Sequence, residues 1–126
     1  MRTILVVDDE PVVLACVAST LELSGFAVLR AAAPGEALRI GSSCGRPIDL
    51  MVCDVLMPGM AGPRLAAEFH ALHPETRCLF MAGLPDHPEV REHILAHGLA
   101  FLAKPFLPDV LVAKVRELLA PLPQMP

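Results

Sequence analysis

The sequence predicts one α/β domain with a doubly wound, five-stranded parallel sheet. Five short apolar runs alternate with segments of helical periodicity, and such runs are typical of parallel strands that are buried on both faces. Right-handed crossovers between these strands give the order 2-1-3-4-5. The predicted strands lie at 3–7, 27–31, 49–53, 77–81 and 99–103, and the predicted helices at 11–24, 35–42, 63–72, 88–97 and 108–120.

Proline and glycine mark the ends of the predicted helices. Pro11 suits the first turn of the first helix and Gly25 closes that helix. Pro34 precedes the second helix, and Pro108 opens the last one. Apolar residues at i, i+4, i+5 and i+8 from Val110 predict that the last helix covers the sheet with one face.

Size and charge limit the classes of function. The 126 residues suffice for one domain, which we expect at 1–120, and the proline-rich residues 121–126 predict a tail or the start of a linker. The net charge is −4 and the ten Lys and Arg residues are scattered, so we expect no direct contact with nucleic acid. No run of about 20 apolar residues is present, so no membrane span is predicted.

The four cysteines are spaced too far apart for a structural zinc site, and the chain begins without the pattern of a secretory signal. We therefore expect reduced thiols and a cytoplasmic protein. Cys53 lies in an apolar run and is interpreted as a small buried hydrophobic residue. His93 and His97 share a predicted helix face without a third ligand nearby, and they are interpreted as a surface pair.

Charged residues stand at the ends of three predicted strands. Asp8 and Asp9 follow the first strand, Asp54 follows the third, and Lys104 follows the fifth. Ligands bind beyond the carboxyl ends of the strands in open sheets of this kind. Carboxylates that meet there repel one another by roughly 4 kcal/mol per pair at about 4 Å and an effective dielectric of about 20. We therefore expect a hard divalent cation among them, with Mg²⁺ as the best candidate.

The same residues indicate phosphoryl chemistry. Asp54 is the candidate nucleophile, because a carboxylate beside Mg²⁺ can attack a phosphoryl group while the metal neutralises charge on the transferred oxygens. Lys104 would supply a second positive charge to those oxygens. Pro105 directly after Lys104 predicts a fixed loop geometry, such as a cis peptide bond, that aims the ammonium inward.

With these features the chain resembles the receiver domain of two-component response regulators over essentially residues 2–120. The resemblance implies a flavodoxin-like (CheY-like) three-layer sandwich. It rests on three runs that occur in order at the expected strand ends, namely Val6-Val7-Asp8-Asp9-Glu10, Asp54-Val55-Leu56-Met57-Pro58-Gly59-Met60-Ala61-Gly62 and Lys104-Pro105-Phe106.

The resemblance also implies the role of each site residue. Asp54 would accept a phosphoryl group from the phosphohistidine of a sensor histidine kinase or phosphotransfer protein, and Lys104 would contact that group. Asp9, Asp54 and the backbone carbonyl of Leu56 would bind Mg²⁺. Asp8 would reach the metal directly or through water. The chain would then be a signalling phosphoacceptor, not an enzyme beyond its own modification and hydrolysis, and a monomer or weak homodimer that acts on an unknown output protein.

Ala82 departs from the family's pattern, because receivers carry a Thr or Ser hydroxyl at this position of the fourth strand. That hydroxyl donates to a phosphoryl oxygen and draws the following loop inward, while an aromatic residue on the fifth strand, here Phe101, rotates with it. A hydrogen bond to a charged acceptor is worth about 1.5–3 kcal/mol, which is comparable with a typical allosteric coupling of about 1–3 kcal/mol. We therefore predict that Asp54 is phosphorylated but that the structural response is weak or uses another contact.

The sequence leaves several alternatives open. Asp8 and Asp9 would also suit the cap of the first helix, and Lys104 would also suit an exposed surface position. Ala82 favours a second function, a receiver-like docking module that binds partners whatever its phosphorylation state. A phosphatase with a strand 1 aspartate as nucleophile is a third class, although its second acid would fall at Glu10 and no glycine-rich phosphate loop follows the strand.

Overall fold

The computed structural model describes residues 1–83, 92 and 99–120. The helix predicted at 88–97 lies outside these residues except for position 92, and so does the tail predicted at 121–126. The strands are β1 Thr3–Val7, β2 Ala27–Ala31, β3 Leu50–Asp54, β4 Arg77–Gly83 and β5 Ala100–Lys104. Within the described part of the chain the helices are α1 Pro11–Leu23, α2 Pro34–Ser43, α3 Gly62–Leu72 and α4 Pro108–Leu119.

All five strands are parallel and form one sheet in the order β2-β1-β3-β4-β5, which confirms the predicted topology. Every residue of the neighbouring strands β1 and β3 is buried, whereas the edge strands β2 and β5 keep partly exposed residues. This difference explains why β1 and β3 have the most continuous apolar runs, since helices cover both faces of the sheet there.

Side chains along the central strands alternate between two cores. Ile4 and Val6 pack with residues of α1 and α4, whereas Leu5 and Val7 pack with residues of α2 and α3. Successive side chains of a strand point to opposite faces, so one short run contributes to both cores. The result is the three-layer sandwich expected from the sequence.

The apolar face of α4 begins one residue later than its sequence pattern indicated. Leu111, Val115 and Leu119 are buried against the sheet, but Val110 is 45% exposed. The buried positions are spaced by four residues, which is sufficient for a helix that contacts the sheet along a single ridge.

Strands β3 and β5 continue one residue further than predicted, and β4 continues two residues further. Asp54 pairs in register with Met81, and the Val55 N–H donates to the carbonyl of Met81 at 2.9 Å. Lys104 likewise pairs in register with Gly83. Both charged side chains therefore project from strand residues whose backbone the sheet holds in place.

Cys53 is completely buried in the core beneath α2 and α3, as predicted. Burial, together with the nearby Cys78 thiol and the Asp54 carboxylate, raises the pKa of Cys53 well above its ordinary value. Burial also raises the pKa of Cys78 to about 12. Both thiols are therefore protonated at neutral pH.

Within residues 1–83 and 99–120, no helix combines the length and the apolar character that crossing a bilayer requires.

Candidate functional site

Two carboxylates and one ammonium meet at the carboxyl end of the sheet. Lys104 Nζ donates to Asp8 Oδ2 at 3.1 Å and to Asp54 Oδ2 at 3.2 Å. Asp8 directly follows β1, Asp54 ends β3 and Lys104 ends β5, so the strand order brings these residues together. The Lys104–Pro105 peptide bond is cis, as the sequence suggested. Lys104 is therefore not an ordinary surface lysine.

Both oxygens of the Asp8 carboxylate have partners, and the side chain is fully buried. Asp8 Oδ1 accepts the N–H of Glu10 at 2.9 Å, while Oδ2 accepts from Lys104. The N-cap residue of α1 is Glu10, and it makes no side-chain capping bond. Asp8 therefore shapes the turn before α1 and links that turn to Lys104, and the alternative in which Asp8 or Asp9 caps α1 does not describe the structure.

The Asp54 carboxylate is buried and incompletely compensated. Its residue is 8% exposed, and besides Lys104 it accepts a long hydrogen bond of 3.4 Å from the N–H of Leu56. Burial raises the pKa of Asp54 above its ordinary value of 3.8; the Lys104 ammonium opposes this, and the Asp8 carboxylate adds to it. Additional positive charge near Asp54 would therefore stabilise its ionised carboxylate.

The Lys104 ammonium remains charged. Burial lowers the pKa of Lys104, but attraction to Asp54 and the hydrogen bond to Asp8 raise it by more, so the net pKa lies above 10.5. The pKa of Asp54 rises mainly because the carboxyl is buried, whereas the pKa of Lys104 rises because two acids face its ammonium. Both carboxylates stabilise the charged form of Lys104. Asp54, in contrast, shares the one ammonium with Asp8 and is repelled by the Asp8 carboxylate.

Three acidic side chains of the described residues are close enough to share a metal ion. Carboxylate oxygens of Asp8, Glu10 and Asp54 all lie within 4.8 Å of one another. Glu10 is exposed, and no described residue donates a hydrogen bond or forms an ion pair with its carboxylate. Among the described residues only Lys104 places a cation against these acids, which leaves the three of them a formal excess of two negative charges. Hard oxygen donors with this excess fit a divalent cation such as Mg²⁺.

The sequence prediction did not include Glu10 as a candidate ligand, whereas it did include Asp9. In the structure Asp9 is exposed and lies outside the group of three acids. The difference follows from the turn that Asp8 makes with the N–H of Glu10. The signal in the sequence was the third consecutive acid, Glu10 directly after Asp8 and Asp9.

Ala82 lies on β4, between the strands that end in Asp54 and Lys104, and Phe101 lies on β5, three residues before Lys104. Ala82 is the residue after Met81, the register partner of Asp54, and it is 9% exposed. It belongs to a small core with Val55 and Phe80, against which the half-buried Phe101 packs. A methyl group therefore occupies the position on β4 where a hydroxyl was expected.

An apolar cleft adjoins Lys104. It has a volume of about 530 Å³ and is lined by α1 and by the residues after β5, with Val12, Lys104 and Phe106 among them. Two large apolar residues of these segments are strongly exposed, Val12 at 75% and Leu107 at 66%. The acidic site thus lies beside an apolar surface.

The sequence matches the family model described as the response regulator receiver domain over residues 4–116. It is 35% identical over 117 residues to the sensor kinase CckA of Brucella abortus (strain 2308), covering 93% of this chain and 12% of that protein. It is 34% identical over 113 residues to the transcriptional regulatory protein FixJ of Azorhizobium caulinodans, covering 88% of this chain and 52% of that protein. The chain therefore spans about half of FixJ and a much smaller part of CckA.

Solved structures of receiver domains have the same fold. The receiver domain of the hybrid histidine kinase CckA superposes with a TM-score of 0.78 at 32% identity, covering 94% of this chain and 99% of that chain. A CheY-like receiver domain protein from Methanospirillum hungatei JF-1 gives a TM-score of 0.83 at 30% identity, covering 94% of each chain. The chain therefore belongs to the response regulator receiver domain family, which serves two-component signalling through aspartate phosphorylation with Mg²⁺.

Proposed function

We propose that Asp54 is the phosphoacceptor of this receiver domain and that its donor is the phosphohistidine of a sensor histidine kinase or a phosphotransfer protein. A carboxylate oxygen of Asp54 forms the new bond to phosphorus, the phosphorus–nitrogen bond of the donor breaks, and its electron pair stays on the imidazole nitrogen. The observation that carries this assignment is the bridge from Lys104 to Asp54 and Asp8 at the carboxyl end of the sheet.

Mg²⁺ is the cofactor that fits the oxygen donors at this site. When bound, it supplies positive charge that neutralises the negative charge on the transferred oxygens. Asp8, Glu10 and Asp54 supply the carboxylates that lie close together, and Asp9 and the backbone carbonyl of Leu56 are the further donors implied by the family. Lys104 donates to the transferred group from the side of β5.

The apolar cleft supports a protein as the phosphodonor. Small phosphodonors need only the charged groups, but the exposed Val12, which lines the cleft beside Lys104, offers a surface that a folded partner would bury. We propose that the domain comprises residues 1–120. The proposed hydrolytic activity is restricted to the aspartyl phosphate of the domain itself. We propose the cytoplasm as its compartment, in line with its free cysteines.

Intact-mass analysis tests the assignment. The protein is incubated with a small phosphodonor and Mg²⁺, alongside Asp54→Asn and Asp109→Asn, the latter a control at an exposed aspartate of α4. We expect the wild type and Asp109→Asn to gain one phosphoryl group and Asp54→Asn to gain none. A gain that persists in Asp54→Asn would assign the phosphate to another residue.

Ala82 favours a second candidate function, a docking module whose partner affinity does not depend on phosphorylation. Without a hydroxyl at this position, no side chain of β4 at residue 82 donates to the phosphoryl group. Beryllofluoride, which imitates the aspartyl phosphate, separates the two functions when it is compared in the wild type and in Ala82→Thr. Amide chemical shifts that move widely only in Ala82→Thr favour docking, whereas a wide response in the wild type favours a phosphorylation switch through another contact.

A further inference from the structure

The glycine that begins α3 lies unusually close to the backbone of Asp54. A Cβ atom added at Gly62 would come 2.4 Å from the carbonyl oxygen of Asp54 and 3.0 Å from the Cα of Val55. Real Cβ atoms essentially never approach another heavy atom closer than 3.0 Å, and the atoms at this position belong to the backbone. Only glycine fits here unless the end of β3 or the start of α3 moves.

A hydrogen bond holds the same contact. The N–H of Gly62 donates to the carbonyl of Val55 at 2.7 Å and closes the loop 55–62. Ala61, the N-cap residue of α3, has no side-chain capping bond, so this backbone bond satisfies one of the N–H groups that a helix start leaves unpaired. The start of α3 is therefore attached directly to the residue that follows Asp54.

The atoms held by this contact belong to the candidate site. The Asp54 carboxylate reaches Lys104 at 3.2 Å and the N–H of Leu56 at 3.4 Å, and both distances are near the upper limit for a hydrogen bond. Functional sites require their groups to lie within about 0.5 Å of the productive geometry. An added methyl group at Gly62 falls about 0.6 Å inside the 3.0 Å limit, so relieving the overlap exceeds that tolerance.

We propose that Gly62 is a positioning residue for Mg²⁺ binding and phosphorylation at Asp54. Its missing side chain lets α3 approach the backbone of Asp54, and its N–H holds the carbonyl of Val55, the residue between Asp54 and Leu56. The inference rests on the proposed function of Asp54.

Two other helical glycines provide matched controls. A Cβ added at Gly41 would come 2.7 Å from the ring of Phe69, a close contact between α2 and α3 that involves no residue of the acidic site. A Cβ added at Gly35, the second residue of α2, would meet only Arg39 Nη1 at 3.7 Å, an ordinary contact. Gly41→Ala therefore adds a clash without touching the site, and Gly35→Ala adds a methyl group near a helix start without a clash.

The test measures Mg²⁺ affinity and the rate of phosphorylation by a small phosphodonor in fully folded samples, with an osmolyte added where a variant requires it. We expect Gly62→Ala to lose at least tenfold in both quantities. Gly41→Ala should lose stability but keep both within twofold, and Gly35→Ala should match the wild type throughout. Affinity and rate within twofold of the wild type for Gly62→Ala would overturn the proposal. A wild type that takes up neither Mg²⁺ nor phosphate would instead contradict the proposed function of Asp54.

Hydrogen exchange of the unmodified protein gives a second test that does not depend on a variant that folds. If opening of the Gly62–Val55 bond disrupts the metal site, Mg²⁺ at ten times its dissociation constant lowers the open population about elevenfold. We expect the Gly62 amide to exchange about tenfold more slowly with Mg²⁺. The Cys44 amide, which donates to Ile40 at 2.8 Å at the end of α2, should slow less than twofold. No slowing at Gly62, or equal slowing at both amides, would overturn the proposal.

Discussion

At the amino end of the sheet Asp49 has donors of its own, whereas at the carboxyl end Asp8 and Asp54 share the single ammonium of Lys104. Asp49 Oδ2 accepts the N–H of Thr3 at 2.8 Å, and Asp49 Oδ1 lies 3.9 Å from an Arg2 guanidinium nitrogen. The acid at the amino end joins the start of β1 to the residue before β3, and both Arg2 and solvent are near its charge. In the part of the chain that the structure describes, Lys104 alone offsets the two acids at the carboxyl end, so their charge is balanced only when a further cation binds. Opposite ends of one sheet thus show how charge balance separates a structural acid from a functional one.

Replacing Lys104 should have the largest effect on this comparison. Lys104→Met leaves Asp8 and Asp54 buried together without their cation, and removing one partner of a buried pair costs about 3–5 kcal/mol. We expect the free energy of unfolding to fall by about 3 kcal/mol without Mg²⁺, measured by urea denaturation, and to recover partly when Mg²⁺ is added. If the free energy of unfolding fell by less than about 1 kcal/mol, repulsion between Asp8 and Asp54 would not destabilise the folded protein as we expect.

Glu10→Gln should weaken Mg²⁺ binding about tenfold, or about 1.4 kcal/mol, because the carboxylate near Asp8 and Asp54 loses its charge. Isothermal titration with Mg²⁺ gives the affinity, and Asp9→Asn is the matched variant. Affinity close to that of the wild type in Glu10→Gln together with a large loss in Asp9→Asn would assign the third carboxylate to Asp9, as the family implies.

Substitution of Asp by Asn should change the free energy of unfolding in opposite directions at the two ends of the sheet. Because burial raises the pKa of Asp54, the folded protein binds a proton more tightly than the unfolded chain does. Stability without Mg²⁺ should therefore fall as the pH rises from 3.8 through the higher folded pKa. Above that window Asp54→Asn should raise the free energy of unfolding by about 1 kcal/mol. Asp49→Asn should lower it by about 1 kcal/mol, because an amide oxygen accepts the Thr3 N–H less strongly than a charged carboxylate does. Denaturation at several pH values measures both, and equal signs would contradict the comparison.

The smallest effect is expected for Arg2→Met. Arg2 is half exposed and its contact with Asp49 is 3.9 Å, so screening by solvent leaves an ion pair of little value. The free energy of unfolding should change by less than about 0.5 kcal/mol, and the change should shrink further at high salt. A loss comparable with that of Lys104→Met would show that the amino end also depends on its cation.

The strands, their order and the meeting of Asp8, Asp54 and Lys104 were predictable from the sequence. Buried parallel strands have continuous apolar runs, and the topology of such runs brings their carboxyl ends together without reference to any side-chain detail. For the same reason Lys104 was expected at the site although 96 positions separate it from Asp8.

Local geometry was less predictable. Which acid after β1 turns toward Asp54 depends on the hydrogen bond from the Glu10 N–H to Asp8, which a run of three acids does not reveal. The close approach of Gly62 to Asp54 depends on where α3 packs, so the loop sequence alone does not reveal it. In both cases a tertiary contact decides between conformations that the local sequence allows equally.

The bridging ammonium has a consequence for how the molecule responds to an anion. Lys104 donates to both Asp8 and Asp54. Asp8 in turn accepts the N–H of Glu10, the residue directly before α1. A group that attracts the ammonium toward β3 must loosen its hold on Asp8. The N-terminal turn of α1 would then sense an event on a strand more than forty residues away in sequence, without any movement of β4.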